Sequence, residues 1–270
     1  MVEVTFKHRR RRVFRNDRKL DLMAGDDIIV GVRGGIDYGR VTMTGELAAL
    51  KAKPQPNYNC IIRIANSRDR LNHENNRKSE AEVLEIFKAA AKKRRLPLKP
   101  VDVEWQHDRK RISLYYTAKE KLKLRGLISE FSRRFKARVD LRRIRAREEA
   151  SRIGGIGACG RELCCSSWMN VIPSVDIAAA KKQHFTLSSD RLRGRCNRLK
   201  CCLNYELDQY LVALKEFPGV GTDVDTGAGT GTVDQVNIFQ RTLTVRYSGG
   251  RTQVVPLDAI GRHERGARRR

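Results

Sequence analysis

Val101-Asp102-Val103-Glu104-Trp105 alternates apolar and polar side chains, Gln106–Lys110 is wholly polar, and Ile112-Ser113-Leu114-Tyr115-Tyr116-Thr117 returns. Alternation at period two marks half-buried strands, and a short polar connection between two of them marks a β-hairpin. Upstream, Cys60-Ile61-Ile62-Arg63-Ile64-Ala65 reads as another strand. A helix follows from about His73 to Arg95, with Val83, Leu84, Phe87, Ala90 and Ala91 at helical spacing. Its acidic residues (Glu74, Glu80, Glu82, Glu85) come early and Lys92-Lys93-Arg94-Arg95 come last, as the helix dipole favours; Pro97 ends it. Downstream, a helix over about Lys119–Phe135 aligns Leu124, Leu127, Ile128, Phe131 and Phe135, and Ala137–Leu141 closes as a strand. The order β-α-β-β-α-β is that of a split βαβ (ferredoxin-like) domain. The expected class is α+β.

The flanks read as β structure. Val2–Phe6 alternates, Ile28–Val32 is a strand, Arg33–Ile36 turns and Tyr38–Thr42 returns, while Arg9-Arg10-Arg11-Arg12 reads as a solvated basic run. Lys53-Pro54-Gln55-Pro56-Asn57 reads as a linker, because proline disfavours both helix and ladder. Near the other end, Thr230–Val233, Thr242–Tyr247 and Thr252–Val255 are short strands that suit a small open barrel. Its glycine pattern faintly echoes residues 25–42, so the two ends suggest similar barrels or one shared β layer. The expected organisation is an N-terminal β segment over 1–58, the ferredoxin-like domain over 59–147 and a cysteine-rich module over 148–210. A small β-barrel over 211–262 and a disordered basic tail over 263–270 follow.

The chain carries 56 Lys+Arg against 31 Asp+Glu, a formal net charge of +25, which predicts a polyanionic partner such as RNA or a ribosome. Arg133, Arg134, Lys136, Arg138, Arg142, Arg143, Arg145 and Arg147, with only Asp140 among the strand residues to oppose them, form the candidate phosphate track. A solvated face explains the same run. The aromatic strand signature of RNA-recognition modules is missing; Tyr115 and Tyr116 read rather as packing residues. Neither a secretory signal nor a transmembrane run stands in the sequence, so a cytoplasmic protein with reduced thiols is expected.

Six of the seven cysteines lie in two copies of one pattern, Cys-x-Arg-x-x-Cys-Cys-x-x-aromatic. The first holds Cys159, Cys164 and Cys165 with Trp168; the second holds Cys196, Cys201 and Cys202 with Tyr205. Converging thiolates complete a tetrahedral zinc site or an iron–sulfur cluster. Four residues between the first two cysteines of each copy lie at the wide edge of zinc-knuckle spacing, and the vicinal Cys165 and Cys202 exceed what one zinc needs. A thiol redox switch is the third reading. Arg161, Arg198 and Lys200 offset thiolate charge, Trp168 and Tyr205 are placed to shield the sulfurs, and Gly154-Gly155-Ile156-Gly157 allows a close backbone approach. Between the copies, Ser174 caps a short helix over Val175–His184, and His184 is a possible further ligand. Cys60, in an apolar strand, reads as core. The five histidines (His8, His73, His107, His184, His263) are scattered with no pairing signal, and the sequence has no carboxylate pair, phosphate loop or dinucleotide fingerprint, so a non-enzymatic regulator or adaptor is expected.

Arg152–Ser166 and Arg195–Glu206, which contain the two copies, resemble the bacterial RicT/YaaT family, which carries the polymerase-suppressor C-terminal homology domain. The resemblance extends through the 60–150 region and the spacer Ser174–Leu187. It implies a cytoplasmic subunit that assembles with two smaller partners around [4Fe–4S] clusters. It further implies action on RNase Y-dependent mRNA processing and on developmental signalling of the sporulation type. Carried over by position, the cluster-associated residues are Cys159, Cys164, Cys165, Cys196, Cys201 and Cys202. Asn197 departs from the pattern, standing where the family often has glycine.

Overall fold

Ile28, Ile29 and Val30 are consecutive, and all three side chains are fully buried. A strand covered on both faces belongs in the middle of a sheet, so it needs a neighbour on each edge. The computed structural model, which describes residues 1–52, 58–169, 171–183 and 192–260, supplies both. β1 (Val2–Thr5), β2 (Arg11–Phe14), β3 (Asp27–Val32), β4 (Gly35–Thr44) and β5 (Ile61–Ile64) form one antiparallel sheet in the order β2-β1-β4-β3-β5. Val2, Val4, Phe14, Ile28, Val30, Val41 and Ile61 fill its core. Gly39 is needed there: a Cβ would meet Val4 Cγ1 at 2.4 Å. A short helix, α1 (Gly45–Leu50), follows β4.

The next elements come in the expected order: α2 (Ser67–Lys93), β6 (Lys99–Trp105), β7 (Arg111–Thr117), α3 (Arg125–Phe135) and β8 (Arg138–Arg143). Their pairing differs from a split βαβ sheet. That arrangement would seat β5 between β7 and β8, whereas β7 and β8 pair directly and in parallel, Arg111 opposite Arg138. The three-stranded sheet runs β6-β7-β8, and β5 belongs to the other sheet, where β3 needs it. On one face Val103, Ile112, Leu114 and Val139 pack against Val83 and Phe87 of α2 and Leu127 and Phe131 of α3. Phe87 and Phe131 meet edge to face at 6.0 Å. α2 begins earlier than its apolar spacing suggests because Asn66 and Asp69 cap it reciprocally, side chain to backbone in both directions. Such a cap contributes about 1 kcal/mol. The basic run is likewise partly structured, since Arg11 and Arg12 lie in β2. α4 (Ala146–Ile153) follows β8.

These elements make up one compact unit, Met1–Ile172 with Gly194–Arg198; the second comprises Pro173–Arg193 with Leu199–Arg270. In the second, α5 (Ile177–Lys182) follows Asp176, not Ser174, as its cap position. Ala180 packs with Leu192 and Leu203, the latter on α6 (Cys202–Tyr205), and α7 (Leu207–Leu214) comes next. β9 (Asp223–Thr226), β10 (Gly229–Asn237), β11 (Thr242–Arg246) and β12 (Thr252–Pro256) form an antiparallel meander over Phe217, Val224, Val233, Leu243, Val245 and Val255. The meander is an open sheet and not a barrel among the described residues, because β9 and β12 are its two edges. Its strands and the N-terminal strands are hydrogen-bonded in separate sheets. The linker Lys53–Asn57, His184, and the basic tail lie outside the described residues.

Candidate metal centre

Asp102 and Glu104 alternate with Val103 and Trp105 along β6, so the hairpin that buries valine on one face turns two carboxylates to the other. Both are buried. Two buried carboxylates require cations and donors, and distant segments supply them. Lys7 Nζ donates to Asp102 at 2.7 Å, to Glu80 of α2 at 2.8 Å and to the Val103 carbonyl at 2.7 Å. His8 Nε2 lies 2.9 Å from Asp102, and Arg10 lies 3.3 Å from Glu104. Arg152 of α4, with only 7% of its side chain exposed, donates to Asp102 at 2.8 Å and to Glu104 at 2.7 Å. Its guanidinium also covers the ring of Tyr115, 3.5 Å from the centroid, while the Tyr115 hydroxyl donates to Glu104 at 3.0 Å.

Burial would raise the Asp102 carboxyl, but the His8 hydrogen bond and the Lys7 charge outweigh it and hold the group below the ordinary range. Glu104 is likewise lowered, burial being outweighed by the charges of Arg10 and Arg152. His8, Asp102 and Glu104 could offer one ligand atom each to a metal ion, all within 4.8 Å of one another. Lys7, Arg10 and Arg152 already neutralise them, so the arrangement is an ion-paired lock and not a metal site. The lock ties α4, and with it the start of the first cysteine module, to the sheet.

α4 ends at Gly154 (φ 74°), and Gly155 (φ 120°) leads into the module. Ile156 bridges Glu162, the Gly157 N–H donates to the Arg161 carbonyl at 2.8 Å, and Gly160 (φ 78°) turns the chain directly after Cys159. Leu163 N–H closes the hairpin on the Gly155 carbonyl at 3.0 Å. The second module repeats each of these features. Arg193 bridges Leu199, Gly194 N–H donates to Arg198 at 2.9 Å, Lys200 N–H donates to Leu192 at 2.8 Å, and Asn197 (φ 53°) turns the chain after Cys196. Asn197 thus takes up the left-handed conformation that Gly160 takes in the first module, which asparagine tolerates better than most residues. Glycine precedes each turn by the same step, and each would place a Cβ against the cysteine sulfur: Gly157 at 3.4 Å from Cys159 Sγ, Gly194 at 3.7 Å from Cys196 Sγ. The sequence repeat is a repeat of backbone geometry.

All six module cysteines are free thiols, Cys159 exposed and the others half-buried. Burial pushes the Cys165 thiol up, with the neighbouring Cys196 and Cys164 adding to the rise and Arg147 opposing it. The first unit therefore gathers Cys164, Cys165 and Cys196, joining the vicinal pair of one module to the leading cysteine of the other. Among the described residues the cysteines do not form a set of three sulfurs within 4.8 Å. The thiols are free and, apart from the exposed Cys159, half-buried, with the leading cysteine of each module at a left-handed turn. Trp168 and Tyr205, expected to shield the sulfurs, are 50% and 61% exposed. Cys60 stands apart at an isolated bridge with Arg15.

The basic run is divided among several elements. Arg133 and Arg134 end α3, Lys136 (φ 50°) caps it, Arg138, Arg142 and Arg143 belong to β8, Arg145 precedes α4, and Arg147 lies on α4. The lock of Lys7, His8, Arg10, Asp102, Glu104 and Arg152 went unread in the sequence. Its one local sign is a pair of acidic residues at alternate positions of an otherwise apolar strand.

Among the described residues no helix is long and apolar enough to cross a membrane. Residues 59–144 match the PSP1 C-terminal conserved region, and residues 174–217 match the third domain of PSP1-like proteins. The stage 0 sporulation protein YaaT of Bacillus subtilis is 33% identical over 218 residues, covering 81% of this chain and 79% of that protein. An uncharacterized protein of Schizosaccharomyces pombe is 35% identical over 60 residues, covering 22% of this chain and 8% of the other. No solved structure matches.

Proposed function

The chain belongs to the YaaT (RicT) family of proteins with a PSP1 C-terminal region, and from that premise we propose that it is a non-enzymatic regulatory subunit whose paired cysteine modules hold an iron–sulfur cluster. The observation that carries this reading is the duplicated turn, with Cys164, Cys165 and Cys196 brought into one neighbourhood. A [4Fe–4S] cluster, when bound, supplies an oxygen-sensitive redox centre. The chain's own residues do the holding: Gly160 and Asn197 set the turns that follow Cys159 and Cys196. Arg152 fixes the start of the first module through Asp102 and Glu104.

A cluster takes four ligands, and half-exposed thiols leave room for ligands from a second polypeptide. The family resemblance supplies candidates: two smaller partner subunits, with the assembly acting on RNase Y-dependent mRNA maturation. We read the exposed Trp168 and Tyr205 as residues that a partner covers, taking up the shielding role only in the complex. The test is anaerobic purification with metal and sulfide analysis. Iron and acid-labile sulfide in cysteine-dependent amounts support the proposal, and stoichiometric zinc supports a structural site instead.

A further inference from the structure

The sheet face that holds Asp102 and Glu104 continues across β7 and β8, and there its charge balance reverses. In the parallel register Arg111 stands beside Arg138, Ser113 beside Asp140, and Tyr115 beside Arg142. Three guanidiniums share the one Asp140 carboxylate: Arg111 at 3.4 Å, Arg138 at 3.7 Å and Arg142 at 3.7 Å. The side chains of Arg138 and Arg142 are 68% and 43% exposed. A fourth guanidinium joins them from β2. Arg12 makes no ion pair among the described residues, and it is crowded by cations. Partial desolvation, then the charges of Arg10 and Arg142, hold it below its ordinary value, against the opposing pull of Tyr115 and Asp37.

Three arginines share one carboxylate and a fourth, Arg12, lies near Arg142 with Asp37 as its acidic neighbour, so the face carries an excess of cations that a fixed anion would relieve. The planar fork of arginine suits phosphate oxygens. Arg138 and Arg142 lie four residues apart on β8, and their side chains converge on Asp140, so the charge is concentrated around that carboxylate. No exposed large hydrophobic residue lies on β2, β7 or β8, which argues against a membrane surface. Tyr115, the aromatic of this face, is 2% exposed under Arg152 and offers no ring for stacking bases. We propose that this face, through Arg12, Arg111, Arg138 and Arg142, binds the phosphodiester backbone of a nucleic acid without reading its bases. The site does not depend on the cysteine modules. Only Arg138 and Arg142 come from the basic run of residues 133–147; Arg12 and Arg111 come from elsewhere in the chain.

The experiment is fluorescence anisotropy of the full chain with a labelled single-stranded RNA and with a duplex DNA across a salt series, beside anionic vesicles. The triple variant Arg12→Gln/Arg138→Gln/Arg142→Gln should weaken binding about tenfold or more and lower the log–log salt slope by about 2, near 0.7 per lost contact on a single strand. Arg133→Gln/Arg134→Gln, on the helix that covers the opposite face, should leave both values nearly unchanged. Loss on RNA and DNA alike supports backbone recognition. An unaltered slope in the triple variant, an equal loss in the α3 variant, or binding to vesicles alone overturns the proposal. If the triple variant does not fold, Arg138→Glu at the most exposed position serves. A several-fold loss supports the site, and unchanged affinity overturns it.

Discussion

Arg152 lies flat over Tyr115, its guanidinium carbon 3.5 Å from the ring centroid, while both side chains bond the same Glu104 carboxylate. This contact joins the start of the first cysteine module to the central strand of the three-stranded sheet. Removing the guanidinium takes away the one cation that Asp102 and Glu104 share, leaving Asp102 to Lys7 and His8 and Glu104 to Arg10 and Tyr115. Arg152→Met should therefore destabilise the chain by about 3–5 kcal/mol in urea unfolding, the usual consequence of breaking a buried ion pair from one side. Arg152→Lys keeps a charge but loses the fork and the stack, and should fall between that variant and the parent.

Asp37 carries the opposite signature. Burial raises its carboxyl to about 6, with Glu104 adding to the rise and Arg10 and the Tyr38 N–H opposing it. A folded pKa above the unfolded value means the protonated form stabilises the fold. That contribution is fully present below about pH 4 and is lost as pH rises through about 6. Asp37→Asn, which mimics the protonated group, should match the parent at pH 4 and exceed it by about 1–3 kcal/mol above pH 6. Chemical unfolding at several pH values measures the difference, and a gap that does not change with pH would contradict this assignment.

The two module turns make a paired prediction. Asn197→Gly should be nearly neutral, because glycine suits φ 53° at least as well. Asn197→Val or Gly160→Val forces a β-branched residue into the left-handed region, at about 1–2 kcal/mol, and should lower iron content in protein purified without oxygen.

Cysteine substitutions separate the readings further. Cys165→Ser and Cys202→Ser, at the second members of the vicinal pairs, should each deplete iron if the pairs serve a cluster. Under a single four-sulfur zinc site built from Cys159, Cys164, Cys196 and Cys201, both variants would keep a full complement of metal. Cys60→Ser is the internal control, since Cys60 stands apart at its bridge with Arg15, and its iron content should equal the parent's.

Local periodicity made much of this fold legible. The hairpin of β6 and β7, the stripes of α2 and α3 and the meander of β10 to β12 follow from side-chain spacing within each segment. Partner choice between strands was not legible. Residues 61–64 could join either sheet by composition, and only the need of the fully buried Ile28–Val30 strand for a second neighbour decides it. The cysteine modules were readable because the pattern occurs twice. The lock was not, since Lys7, His8, Arg10 and Arg152 look solvated until the chain brings them to Asp102 and Glu104.

The central claim is that the cysteine modules are a cluster platform. Its most direct measurement is the iron and acid-labile sulfide content, with the visible absorption spectrum, of protein purified without oxygen from cells that also carry its partner subunits. The account predicts brown protein whose iron and sulfide appear in equal amounts and are lost on exposure to air. Colourless, iron-free protein under those conditions, with or without bound zinc, would contradict it.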